Sequence, residues 1–213
     1  MAVTYSGLLG GKTVAGSLKN LVNYERIDPA TTITEAEAYI FGALRVREMR
    51  KVTTITQTAG TSKDASLPSD FLDPILVVGY RNLGPLQNST MEELIGRRRI
   101  YAEAEDGTLE ESTQAYFAIF NDKINFDCVA EETVTYTMAY YGSNALSLTN
   151  ETNFLTIRYP SILLAAVRYY AYLHMENDTE AGNWKKITDE LIARANIETD
   201  FTLRGADFMV TVR

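Results

Sequence analysis

The spacing of apolar positions predicts helices at the start of the chain. Five apolar residues recur at spacings of three and one, which places them on one face of a helix: Ala36, Tyr39, Ile40, Ala43 and Leu44. Thr34-Glu-Ala-Glu37 matches a capping box, in which hydroxyl and carboxylate bond each other's backbone amides. We therefore predict a helix from Thr34 to Arg50. A weaker helix is expected from Val14 to Tyr24, ended by an Asp28-Pro29 turn.

The middle of the chain has the shorter period of β-strands. β-Branched and aromatic residues concentrate in four runs: Val52–Thr58, Ile75–Val78, the hairpin Tyr116–Phe126 and Thr133–Tyr141. Asn121-Asp122 supplies a tight turn within the hairpin, and a short helix is expected between Ser89 and Ile95.

Helical patterning returns after residue 150. Tyr159-Pro160 opens a segment that runs to Met175 and is apolar almost all round, so we expect a buried central helix. A second helix follows Asn177-Asp178, and its apolar face is expected to carry Trp184, Ile187, Leu191 and Ala195. Residues beyond 199 have no helical period yet stay apolar, which predicts a tail that docks onto another surface.

These zones together predict an α+β fold. A helical bundle is expected from residues 1–51 and 151–199, with a β-rich insertion at 52–150. An extended C-terminal tail is expected at 200–213. The longest apolar stretch, Ile162 to Met175, is too short to span a bilayer, and the N-terminus lacks the pattern of a signal peptide. We therefore expect a reducing, aqueous compartment and no membrane partner.

Composition narrows the function classes. Of 213 residues, 46% are apolar and 23% are charged, as in ordinary globular proteins. Twenty Lys and Arg against 28 Asp and Glu give a net charge of −8, which argues against a general nucleic-acid binder. One cysteine, Cys128, and one histidine, His174, exclude an intrachain disulfide and a metal cage rich in these residues. We predict no catalytic residues, no cofactor and no metal.

One segment approaches a nucleotide-binding motif. Gly7-Leu-Leu-Gly-Gly-Lys12-Thr13 resembles a phosphate-binding P-loop, but the required first glycine would stand at position 6, which is Ser6. Too few residues precede it for a leading strand. We interpret it as an arm that leads into a helix, with nucleotide binding as the alternative.

Other polar clusters have structural interpretations. We expect His174 to be a polar partner at a helix end and Cys128 to be a buried thiol. The acidic residues between Glu103 and Glu111 lack the spacing of a calcium loop, so a solvated loop is expected. Arg97-Arg98-Arg99 is either exposed or paired with that loop, with phosphate contact as the alternative. The tyrosines at 169, 170 and 172 indicate core or subunit packing.

Several motifs, in order, resemble head–tail adaptor (connector) proteins of tailed bacteriophages. Leu67-Pro-Ser-Asp-Phe-Leu72 is similar to the signature that opens the β-insertion of that family. Tyr140-Tyr141 ends a strand, and Asn153-Phe-Leu155 follows a linker. Tyr159-Pro160 opens a long alanine- and leucine-rich helix. A last helix with Trp184 completes a pattern that covers residues 14–198.

The resemblance implies a structural protein of the virion neck, made in the host cytoplasm. Such proteins form homo-oligomeric rings, usually of twelve copies, that join the portal protein to the tail or its nozzle. DNA passes through the lumen without specific binding. The alternatives are another neck component, such as a stopper or tail-completion protein, or a monomeric interaction module.

Two sets of residues are expected to make the contacts. Portal docking is assigned to apolar residues of the tail: Phe201, Leu203, Phe208, Met209 and Val210. Contact with the tail side or between subunits is assigned to aromatic residues of the insertion: Phe71, Tyr116, Phe117, Phe120 and Phe126.

Overall fold

A computed structural model describes residues 3–59, 63–79, 85–102, 116–128 and 133–207; for 98–102 and 200–207 it describes the backbone alone. The chain divides into two units, residues 1–49 with 143–213 and residues 50–142. We call them the helical unit and the β unit. Their boundaries differ by two and eight residues from the expected junctions at 51/52 and 150/151.

The described residues are both helical and extended, which confirms the predicted α+β class. The helices are α1 (Tyr5–Leu9), α2 (Leu18–Leu21), α3 (Pro29–Ala43), α4 (Met91–Ala102), α5 (Phe154–Arg158), α6 (Pro160–His174) and α7 (Asp178–Asp207). The strands are β1 (Arg50–Gln57), β2 (Asp64–Ser66), β3 (Phe71–Gly79), β4 (Gln87–Asn88), β5 (Tyr116–Phe120), β6 (Lys123–Phe126) and β7 (Val134–Gly142).

Helix α3 begins five residues before the predicted capping box. Asp28 is its N-cap and accepts from the Ala30 amide at 3.2 Å, while Pro29 occupies the first turn, where its missing N–H costs nothing. The helix ends at Ala43 because Leu44 is extended. The expected start at Thr34 was therefore wrong: the Asp28-Pro29 pair opens this helix.

Helix α6 confirms the predicted central helix, and α7 corrects two expectations. The buried face of α7 carries Ala181, Thr188, Ile192, Ala195 and Thr199. Ile187 is 40% exposed and does not belong to that face. The threonine hydroxyls donate to carbonyl oxygens four residues earlier, which removes the cost of burying them. The helix also continues to Asp207, past the expected end at 199.

The β unit contains two sheets with a shared core. One sheet has the antiparallel order β1-β7-β3, and the other has the order β2-β6-β5-β4, with β4 parallel to β5. The shared core includes buried residues from both sheets: Ile55, Val77, Tyr136, Met138, Phe117, Ile124 and Phe126. Phe126 stacks on Tyr136 with ring centroids 4.5 Å apart. The predicted hairpin is confirmed, since Asn121 and Asp122 take the positive φ values, 51° and 57°, of a two-residue turn.

Candidate interaction surfaces

The Leu67–Leu72 motif contacts β1 and β7 at one end of the β1-β7-β3 sheet. Lys51 Nζ donates to Asp70 Oδ2 at 2.5 Å, and the Tyr140 hydroxyl donates to Asp70 Oδ1 at 3.1 Å. Phe71 stacks on Tyr140 at 5.8 Å. A Cβ at Gly142 would lie within 3 Å of both Lys51 and Asp70, so glycine is needed for the close approach. The motif therefore ties the start of β3 to β1 and β7.

Burial of Asp70 alone would raise its pKa, but the bonds from Lys51 and Tyr140 outweigh that cost. They hold the pKa of Asp70 below its ordinary value. The carboxyl group is therefore a charged acceptor at neutral pH. The sequence indicated Asp70 through its motif, but it gave no sign of Lys51 and Tyr140, which lie 19 and 70 residues away.

The structure separates the five aromatic residues assigned to contacts. Phe117 and Phe126 are 2% and 0% exposed, so they serve the core and offer no surface to a partner. This corrects the expectation for those two. Phe120 is 52% exposed beside the hairpin turn. Phe71 and Tyr116 are half-buried.

Tyr116 contacts Arg97, which the sequence did not indicate. The guanidinium of Arg97 lies 3.7 Å from the centroid of the Tyr116 ring, a cation–π distance. Arg97 is half-buried and packs on Tyr116, where an exposed side chain or a pair with the acidic loop was expected. The acidic residues at 103–111 lie outside the described residues, as do the side chains of Arg98 and Arg99.

The face of the β1-β7-β3 sheet that points away from the core of the β unit carries apolar side chains and threonine hydroxyls. Val52, Ala139 and Leu76 lie in one row across the three strands, with Val52 73% exposed and Leu76 42% exposed. The next row contains Thr54, Thr137 and Val78. A face with this composition is available to a partner.

The residues assigned to portal docking fall into two groups. Phe201 and Leu203 lie on the last two turns of α7, so the expectation of an extended chain from residue 200 was wrong for them. Phe208, Met209 and Val210 lie outside the described residues.

Sequence analysis assigned Glu37 to the Thr34–Glu37 capping box, but the structure buries its side chain. It is 3% exposed and accepts from the Leu146 amide, at 3.1 and 3.0 Å, and from Asn153 Nδ2 at 3.0 Å. Burial raises the pKa of Glu37, although both donors act in the opposite direction. Asn153 also caps α5 through a capping box with Thr156. This network fixes the segment 143–153 against α3.

The near-P-loop segment does not have P-loop geometry. Gly7 lies within α1, and its amide donates to the Thr4 hydroxyl that caps this helix. In a P-loop, glycine amides after a strand wrap the phosphates instead. The following residues form turns that lead to α2.

The remaining polar residues have structural contacts. His174 Nε2 lies 2.8 Å from Glu35 Oε2, so the ring links the end of α6 to α3. Tyr39 packs 5.8 Å from Tyr169 in the same helical unit. Cys128 is half-buried, where a buried thiol was expected. Across the described part of the chain, no three Asp, Glu, His or Cys residues group as a metal site. No helix in that part is long and apolar enough to cross a membrane.

Comparison with known proteins supplies the family. A family model for the SU10 adaptor protein matches residues 12–209. The chain belongs to this adaptor family. No curated protein matches it. The resemblance to phage adaptors is thereby confirmed at the level of a phage adaptor, a structural component of the virion.

Proposed function

We propose that this adaptor forms a homo-oligomeric ring of twelve copies that joins the portal protein of a phage capsid to the tail. The family match over residues 12–209 carries the proposal. The part of the chain that the structure describes adds exposed apolar surface in both units, including Val52 and Ile157, each at least 70% exposed. Surface of this kind favours assembly with other chains.

The charge of the chain suits a channel through which DNA slides. Each copy carries −8, so twelve copies carry −96. An acidic lumen repels the phosphate backbone and releases no counterions, and DNA therefore passes without being held. We expect no measurable binding of duplex DNA to the purified protein at physiological salt.

Portal docking is proposed for the end of the chain, residues 200–213. Its large apolar residues are Phe201, Leu203, Phe208, Met209 and Val210. Full burial of each such side chain in a portal pocket contributes about 1.5–3 kcal/mol. Several anchors of this size are sufficient for a stable contact.

The β unit is proposed to meet the tail or the neighbouring subunit. Phe120, Tyr116 and Phe71 keep this role because their side chains are at least partly exposed. Phe117 and Phe126 are left out because the core of the unit already buries them.

Electron microscopy of the purified protein, alone and mixed with portal protein, tests the ring. We expect annular particles of about twelve copies in at least the second sample. If both samples contain monomers only, the ring proposal is refuted, and the monomeric module becomes the better explanation. Rings that bind the tail but not the portal would instead favour a stopper.

Two truncations test the docking segment. Removal of residues 208–213 should weaken portal binding, and removal of 200–213 should abolish it. Both proteins should keep the fluorescence of Trp184, the single tryptophan. Leu148→Ser, which alters an exposed apolar residue of the helical unit outside the docking segment, is the control and should keep portal binding. Unchanged portal binding by the longer truncation would contradict the assignment.

A further inference from the structure

The helical unit contains an apolar cavity that no part of the proposed function uses. Its volume is about 160 Å³, and it opens between α1, the turns after α1, α2 and α6. The apolar side chains that line it are Val3, Leu8, Ala15, Leu21 and Leu164. Gly7 and Gly16 complete the wall. The hydroxyl of Thr4, which also lines the cavity, accepts from the Gly7 amide.

Hydrogen bonds hold one wall of this cavity in place. The buried Ser17 hydroxyl donates to the Gly11 carbonyl at 2.8 Å, and Asn20 Nδ2 donates to the Lys12 carbonyl at 2.8 Å. The Val14 amide donates to the same Gly11 carbonyl at 2.9 Å. The segment that resembles a P-loop is therefore a pre-formed wall, and a ligand does not have to order it.

The β unit presents an aromatic side chain of matching size. Phe120 ends β5 next to the two-residue turn and is 52% exposed. The hairpin fixes its position, because Phe120 pairs with Lys123 across the turn. A cavity of about 150 Å³ lined by aliphatic residues accommodates benzene, so about 160 Å³ accommodates a phenyl ring.

We propose that Phe120 of one copy occupies this cavity in the next copy of the ring. The inference rests on the proposed ring, because a ring is built from two different patches that meet head to tail. Phe120 and the cavity are two such patches on one chain. A rigid aromatic anchor in an apolar pocket is the usual centre of a stable interface.

Charge complementarity supports a second copy as the occupant. Asp122, in the turn beside Phe120, is exposed. Lys12, in the segment that forms the cavity wall, is exposed as well. Lys123, opposite Phe120, is paired with Asp64 at 2.8 Å, so Asp122 leaves this end of the hairpin with a net negative charge. When Phe120 enters the cavity of another copy, that charge is opposite in sign to Lys12. Opposite charges beside a contact favour the correct orientation and speed association.

Photocrosslinking locates Phe120 in the full-length assembly. p-Azidophenylalanine replaces Phe120 in unlabelled protein, which is mixed with ¹⁵N-labelled wild-type protein, with and without portal, and illuminated. We expect mixed-isotope adducts on peptides that contain Leu21 or Leu164. Rings without such adducts would overturn the cavity contact and leave the ring intact. Absence of rings in both samples would overturn the ring and this contact with it.

Substitutions measure the strength of the contact. Phe120→Ala removes the anchor, and Ala15→Trp blocks the cavity at an exposed position. Each is expected to weaken association between copies about 30-fold or more. Ile187→Ala truncates an exposed side chain of α7, outside both patches, and is expected to leave association unchanged. Equal association of Phe120→Ala and Ile187→Ala, with both proteins folded by circular dichroism, would contradict the proposal.

Discussion

Replacement of Glu37 by alanine is the most direct test of the buried network in the helical unit. The carboxylate is the acceptor for the Leu146 amide and for one hydrogen of Asn153 Nδ2. Asn153 Nδ2 also donates to the Asn144 carbonyl at 2.6 Å, so its second hydrogen keeps a partner. Glu37→Ala therefore leaves two buried donors without an acceptor.

The expected cost follows from that count. A buried donor that loses its partner costs about 1–3 kcal/mol, so two donors cost about 2–6 kcal/mol. Removal of a buried carboxylate also relieves its desolvation penalty, which offsets part of the loss. We expect a net decrease of about 3 kcal/mol in the free energy of unfolding. This is a large share of the about 5–15 kcal/mol typical of a folded protein.

Urea unfolding followed by the fluorescence of Trp184 measures this decrease. Trp184 lies in α7 of the helical unit and is the single tryptophan, so the signal reports on the unit that contains Glu37. Glu190→Ala, at an exposed position on the same helix as Trp184, is the control. If the two variants unfold at the same urea concentration, the network does not stabilise the fold as argued.

The raised pKa of Glu37 also predicts a pH dependence. A carboxyl whose pKa is higher in the folded state binds its proton more tightly there. Its stabilising contribution is present below the ordinary carboxyl pKa and is lost as pH rises through the raised pKa. The stability of wild type relative to Glu37→Gln should therefore decrease as the pH rises from about 4, the ordinary carboxyl pKa, through the raised pKa of Glu37. A difference that increases over this range would contradict the reasoning.

Two further predictions concern the β unit. Asp70→Asn should lower the free energy of unfolding by about 1 kcal/mol at neutral pH, because it weakens the bonds from Lys51 and Tyr140. Since the pKa of Asp70 is lowered, this difference should disappear as pH falls through that pKa, which urea titrations followed by tyrosine near-UV circular dichroism can measure. Phe126→Ala, in the core, should cost about 3–5 kcal/mol, whereas Phe120→Ala should cost less than about 0.5 kcal/mol. Equal losses in thermal unfolding of these two variants would refute the assignment of Phe126 to the core and Phe120 to the surface.

The elements that sequence analysis predicted well are those with strong local signals. Pro160 at the start of α6 and the Asn121-Asp122 turn each set a boundary with neighbouring residues alone. The start of α3 was missed although its signal was present. Asp28-Pro29 was interpreted as a turn, but the same pair is an N-cap followed by a first-turn proline.

The buried face of α7 was predicted correctly at Ala195 but missed at other positions, for a different reason. Thr188 and Thr199 are on that face, and hydrophobic periodicity assigns threonine to the exterior. Their hydroxyls are satisfied within the helix, which depends on rotamer and packing. The partners of Glu37 are 109 and 116 residues away, so local pattern gave no indication of them.

The hairpin turn decides which aromatic residue is buried and which is presented. With two residues in the turn, Phe117 lies opposite Phe126, and Phe120 lies opposite Lys123. Successive side chains of a strand point to opposite faces. Phe120 is three positions after Phe117, so the two rings are on opposite faces of β5. A shift of one residue in register would exchange the two faces. The two-residue turn, made possible by the positive φ values of Asn121 and Asp122, therefore sets the register that buries Phe117 and Phe126 and exposes Phe120. A longer turn that changed the register would lose both together.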